Sequence, residues 1–325
     1  MNERMSEQFW SIGECMLELR AAAPHVLHTA AAGDTFNTAV YLKRLMPALP
    51  VRYVSALGAD RMSEDIRAQI RSHGVDDALV ATLPGQLPGL YAIETDPTGE
   101  RRFSYWRQQS AARSMLGAGH LAELRAALPA CRAMLITGIT LAILGDDQRA
   151  ALLALAGELR ARGGWVVVDS NYRPALWQAD TARLWLNRAL AIATHALLSV
   201  DDEMALHGDL DAGAVFERAR RAGPDEVVIK LGADGCLVGG PALAPNVVAG
   251  QPVRALDTTA AGDSFNAGYL AGRLSGLPPQ LAARLGCDLA GVVVAHPGAI
   301  IPAAAMRHLV RGAGEADANS GNGMG

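Results

Sequence analysis

The sequence predicts an α/β fold built on a mostly parallel, doubly wound sheet. Short apolar runs of strand length recur along the chain, and segments of helical period separate them. With 50% hydrophobic residues, the 325-residue chain has material for a large core. Strands are expected at 9–12, 51–55, 133–137, 165–169, 196–200, 226–229 and 236–238. Helices are expected at 35–45, 63–73, 147–162, 181–191, 212–222 and 264–275. In such a sheet, ligands bind outside the carboxyl ends of the strands.

Two regions depart from this rhythm. Residues 14–20 alternate and read as an extension of the first strand. Residues 89–107 read as two strands around the turn Asp96-Pro97-Thr98-Gly99. An inserted hairpin suits a lid over a site. No internal repeat or linker divides the chain, so residues 1–311 are expected to form one domain, with lid strands at about 14–20 and 89–107. The tail 312–325 is small and polar, and is expected to be disordered.

Composition narrows the function. A net charge of −4 gives no footprint for a polyanion, which argues against nucleic acid. Neither a secretory pattern at the N-terminus nor a run of membrane-spanning length is present, so no membrane partner is expected. Cys15, Cys131, Cys236 and Cys287 are scattered in apolar or tight-turn settings, as reduced core thiols of a cytoplasmic protein would be. A dinucleotide fingerprint after the first strand, a P-loop and a HExxH are all missing. The eight histidines show no metal-ligand spacing.

The strongest motif is Asp257-Thr258-Thr259-Ala260-Ala261-Gly262-Asp263-Ser264-Phe265. A polar turn feeds small residues into a helix. Small residues let a ligand approach the backbone, and the N–H groups of a helix start attract anions. Asp263 there could take a proton from an attacking hydroxyl. Spacing alone leaves an ordinary N-capped helix equally open.

Weaker signals accompany it. Ala31-Ala32-Gly33-Asp34-Thr35-Phe36-Asn37 offers hydrogen-bonding groups to sugar hydroxyls, or a simple capping box. On the strand 101–107, Phe103, Tyr105 and Arg107 share a face that suits a sugar bearing a carboxylate. Arg173 could add a second positive group. Those arginines could equally lie on the surface of a hairpin. Residues 229–236 form a glycine-bearing turn between strands, able to border a nucleotide or to be a plain hairpin. Asp201-Asp202-Glu203 follows a strand and could hold hydrated Mg²⁺, or simply charge a helix start.

Together and in this order, the motifs resemble the PfkB (ribokinase-like) carbohydrate kinases from Gly13 to about Pro302. The segments Leu87-Pro88-Gly89-Leu90-Tyr91, Tyr105-Trp106-Arg107, Asn171-Tyr172-Arg173-Pro174 and Asp201-Asp202-Glu203 are similar to the branch acting on 2-keto-3-deoxygluconate. The resemblance implies a ribokinase-like three-layer α/β/α sandwich with a small β-lid. It implies ATP and Mg²⁺ as cofactors, transfer to the C6 hydroxyl of the sugar acid, and a homo-oligomer. Asp263 is then the base, and the amides of Ala260, Ala261, Gly262 and Asp263 hold the anion. Gly33, Asp34, Asn37, Tyr91, Tyr105, Arg107 and Arg173 contact the sugar acid. Ser170, Lys230, Gly232, Asp234, Gly235, Ala260 and Gly262 border ATP, and Glu203 reaches the metal through water. The chain departs from the family in two places: Ala32-Gly33 replaces the usual double glycine, and Val200 stands where many relatives carry Asn. A kinase of a neutral sugar and a non-catalytic sugar-acid sensor remain the alternatives.

Overall fold

A computed structural model describes residues 7–23, 25–95, 101–209 and 211–309. The expected turn at 96–99 and the expected tail at 312–325 lie outside the described residues.

The strands are β1 (Gln8–Ile12), β2 (Met16–Ala23), β3 (Val26–Ala32), β4 (Val51–Leu57), β5 (Val80–Thr82), β6 (Leu90–Thr95), β7 (Arg101–Trp106), β8 (Cys131–Thr137), β9 (Trp165–Asp169), β10 (His195–Ser199), β11 (Glu226–Lys230), β12 (Gly235–Gly240) and β13 (Leu243–Ala249). The α-helices are α1 (Asp34–Leu45), α2 (Arg61–Ser72), α3 (Ala118–Ala127), α4 (Gly138–Ile143), α5 (Asp146–Ala161), α6 (Ala179–Ile192), α7 (Val200–His207), α8 (Ala212–Ala222), α9 (Ala261–Leu274) and α10 (Pro279–Val294).

Among the described residues the main sheet has nine strands, in the order β13-β12-β11-β10-β9-β8-β1-β4-β5. It is parallel from β11 through β5 and antiparallel at the β11-β12-β13 edge. Its central strands read as unbroken apolar runs because both faces are covered. Met134 and Ile136 of β8, Val166 and Val168 of β9, and Val227 and Ile229 of β11 face one core with α3 to α8. Leu135, Val167 and Val228 face the other core, with α1, α2, α9 and α10. Three layers result, α/β/α. Strand order reverses around β1, whose neighbours β4 and β8 lead to opposite edges. That switch point opens a crevice at the carboxyl ends.

The lid is more than the expected hairpin. It is a four-stranded sheet, β3-β2-β6-β7, with β2 parallel to β6. Residues 14–20 do not extend β1. The chain leaves the main sheet at Gly13, where a Cβ would lie 2.4 Å from Thr35 Oγ1, and re-enters a separate sheet at Met16. β3 escaped the pattern because its first four residues are exposed without alternation. The strand expected at 196–200 ends at Ser199, and Val200 opens α7. Asp201, Asp202 and Glu203 therefore form a first helical turn, where acidic groups favour the dipole.

Candidate active site

The main-sheet crevice and the lid enclose a cavity of about 900 Å³. β9 and β11 deliver Asp169 and Lys230 to it, and α1 and α9 deliver Asp34, Asn37 and Asp263. From the lid come Tyr91, Phe103, Tyr105 and Arg107.

The first turn of α9 forms one wall. Ala260, its N-cap, takes left-handed dihedrals, φ 61° and ψ 17°, and supplies no side-chain cap. The N–H of Ala261 is bonded to the Thr258 carbonyl at 3.2 Å, and that of Ser264 to the Ala260 carbonyl at 2.9 Å. The Gly262 and Asp263 N–H groups between them belong to the orphan donors of a helix start. A Cβ at Gly262 would meet only Lys230 Nζ, at 3.5 Å. Asp257 anchors the turn: its Oδ1 accepts from Thr259 N at 3.0 Å and its Oδ2 from Gly298 N at 2.6 Å. Gly268, further along the motif, serves packing instead. A Cβ there would lie 2.8 Å from Gly286 Cα of α10.

Asp263 is half-buried. Its Oδ2 accepts from Asn37 Nδ2 at 2.9 Å, and its carbonyl accepts from Thr38 Oγ1 at 3.1 Å. These bonds tie α9 to α1. Burial, then the Asp34 carboxylate, push the Asp263 carboxyl up to about 8. The Asn37 hydrogen bond and the Lys230 ammonium act the other way. Asp34 Oδ2 accepts from Thr137 Oγ1 at 2.6 Å and from Asn171 Nδ2 at 2.8 Å. Asn171 has φ 29°, an uncommon angle for a non-glycine, and its N–H donates to Asp169 Oδ1 at 3.1 Å. Asp169 Oδ2 in turn accepts from Lys230 Nζ at 2.8 Å and from Asn266 Nδ2 at 2.5 Å.

Gly33 fits its place through close approach. A Cβ there would stand 2.2 Å from the Glu14 carbonyl oxygen. Ala32, at the position of the other glycine of the usual pair, is a buried residue at the end of β3.

Most residues singled out from the sequence converge here. Ala260, Ala261, Gly262, Asp263, Gly33, Asp34, Asn37, Tyr91, Tyr105, Arg107, Arg173, Lys230 and Gly232 all line the cavity. Four others do not. Asp234 lies beyond the lining in the short turn 232–234. Gly235, φ 100°, answers to the sheet: a Cβ would meet the Val248 carbonyl at 2.1 Å. Ser170 is fully buried and outside the lining. Glu203 points into the protein, where its carboxylate binds Arg218 at 2.5 Å. Burial raises its pKa, and Arg218 opposes that shift. Asp201 and Asp202 of the same turn do line the cavity. Asp202 pairs with Arg173 at 3.2 Å.

Sequence reasoning gave no role to Asp169, Asn266, Thr137 or Asn171. Two signals were present. Asp169 ends a parallel strand, where ligand sites form. Asn266 follows Asp263 by three positions, on the same helical face.

Such a site can orient a hydroxyl against a carboxylate beside backbone donors that receive a multiply charged anion. Fold and site together define a phosphotransferase class. The pfkB family carbohydrate kinase model matches residues 7–306, and the chain belongs to that family. It is similar to a 2-dehydro-3-deoxygluconokinase of Dickeya dadantii, 45% identical over 301 residues, covering 91% of this chain and 97% of the relative. A protein of the same name from Escherichia coli K12 is 43% identical over 309 residues, covering 93% and 99%. Among solved structures, a putative ribokinase II from E. coli in complex with ATP and Mg²⁺ superposes with a TM-score of 0.82. It is 20% identical and covers 94% of this chain and 99% of that one, a likeness of fold. The fold is ribokinase-like.

Proposed function

We propose that the protein phosphorylates 2-keto-3-deoxygluconate with ATP at the C6 hydroxyl, giving 2-keto-3-deoxy-6-phosphogluconate and ADP. The supporting relatives are similar over nearly their whole lengths. The observation that carries the reading is the Asp263 carboxyl in the first turn of α9, opening on the same cavity as Arg107 and Arg173.

Asp263 accepts the proton of the C6 hydroxyl as phosphorus–oxygen bond formation proceeds. Asn37 orients that carboxylate, and Asp34 and the Gly33 turn receive other hydroxyls of the sugar. The orphan N–H groups of Gly262 and Asp263 stabilise charge on the transferring oxygens, with Lys230 beside them. Gly232 borders the nucleotide. Arg107 and Arg173 take the sugar carboxylate, and the aromatic rings of Tyr91 and Tyr105 wall the sugar off from water.

The donor set suits Mg²⁺ bound largely through phosphates and water. Asp201 and Asp202 offer carboxylate oxygens at the cavity wall, and no cluster of three or more His, Cys, Asp or Glu that could hold a metal occurs among the described residues. Bound there, Mg²⁺ would neutralise phosphate charge.

The protein acts on small molecules, and we place it in the cytoplasm. All four cysteines are buried and free, and no described helix is long and apolar enough to cross a membrane. A homo-oligomer joined through the lid is supported by apolar side chains left exposed there, Val26, Leu27 and Trp106.

A neutral sugar is the second reading, because both arginines already have carboxylate partners, Glu14 and Asp202. A panel of sugar acids and neutral sugars with ATP, read by ADP release, decides. Turnover of 2-keto-3-deoxygluconate well above fructose or ribose is expected, and the reverse order defeats the proposal.

A further inference from the structure

The link from the main sheet to the lid carries Glu14, 1% exposed, which the proposed mechanism does not use. Its Oε2 accepts a hydrogen bond from Arg107 Nη2. The other carboxylate oxygen, Oε1, and Arg107 Nε are buried with no hydrogen-bond partner among the described residues. Space for Oε1 exists because residue 89 is glycine: a Cβ there would stand 2.5 Å from it. The backbone carbonyl of Glu14 also packs on Gly33, as described above. Glu14 therefore touches two cavity-lining residues, Arg107 at the end of the lid and Gly33 at the N-cap of α1, without itself lining the cavity.

A buried ion pair is a weak way to stabilise a fold, and one with unsatisfied atoms is weaker still. Such a pair calls for another explanation. Glu14 bonds the guanidinium from outside the cavity lining, and Arg107 is part of that lining. An arginine fork binds a carboxylate well only when its plane is fixed.

We infer that Glu14 is a positioning residue, which fixes the Arg107 guanidinium so that its remaining donors face the carboxylate of the sugar acid. The inference rests on the sugar-acid reading above.

The test is steady-state kinetics on Glu14→Gln, which keeps shape, and Glu14→Asp, which keeps charge but withdraws it by one methylene. Folding is checked by circular dichroism, and either folded variant suffices. Expected is a rise of about ten-fold or more in KM for 2-keto-3-deoxygluconate, with kcat and the ATP KM nearly unchanged. On an Arg107→Ala background, Glu14→Gln should add almost nothing, because the orienting effect has lost its object. A sugar-acid KM that stays near the wild-type value in a folded variant overturns the inference, since a merely structural pair would give that result. So does an undiminished Glu14→Gln effect without Arg107. Wild-type protein that turns over neutral sugars and not the acid defeats the substrate reading itself, and with it the ligand assigned to Arg107. That failure shows before any variant is made.

Discussion

At Asp263 the fold raises the affinity of the carboxyl for a proton, and the proposed base must be free of that proton to act. Burial and the neighbouring Asp34 push its carboxyl up to about 8. A base acts ionised, so kcat/KM should fall about ten-fold per pH unit below that value and level off above it. A flat profile from pH 6 to 9 would show that the Asp263 carboxyl is not held at that value. Asp263→Ala should lower kcat by about 10²- to 10⁴-fold with circular dichroism unchanged. Stability carries the opposite sign. A carboxyl whose folded pKa is raised binds its proton more tightly when folded, so its contribution is present at low pH. That contribution is lost as pH rises from its ordinary value, near 4, through about 8. Asp263→Asn should therefore gain in Tm relative to wild type across that window and hold a constant advantage above it. Thermal unfolding at pH 4, 6 and 9 checks this, and a gain largest at pH 4 would contradict it.

Single elements show why some of the site was legible and some was not. The first turn of α9 could be read because small residues and an acid at a helix start have a local meaning. Gly33 was legible as part of a turn, yet its reason is long-range: the Glu14 carbonyl occupies the place of a side chain. Gly33→Ala should thus destabilise by about 1–3 kcal/mol through overpacking, measured by urea unfolding. An unchanged midpoint would mean that the Glu14 segment yields freely. At Gly235 the near contacts belong to the sheet. The residue was assigned to the nucleotide from its neighbours in sequence, whereas β13 presses against it. Glu203 was assigned by motif position, and only the fold places Arg218 against it. Asp169 and Asn171 were hidden for a similar reason: their partners Lys230 and Asp34 are far away in sequence. The strands themselves were legible because covered sheet faces leave long apolar runs, but exposed β3 and β13 carry no such mark.

For the molecule as a whole, the alternation of strand and helix was sufficient to read a parallel sheet with a crevice at its carboxyl ends. The lid was only half legible, since a four-stranded sheet assembled from separate stretches has no local signature. Its exposed Leu27 and Trp106, 56% and 59% accessible, bear on assembly. Wild-type protein should sediment as a homo-oligomer, and Leu27→Asp should shift it toward a smaller species with the far-ultraviolet spectrum preserved. A wild-type monomer at assay concentration would end that proposal.

The alternation of the central strands between two cores also governs the chemistry at their tips. Slipping β9 or β11 by one residue would exchange the side chains owed to each core. It would also carry Asp169 or Lys230 about 3.3 Å along the strand, out of reach of the other. Hydrophobic packing deep in the protein thus acts as a ruler for polar groups at its mouth. A single inserted residue within either strand should disable catalysis and folding together, whereas the same insertion in the turn before the strand should spare both.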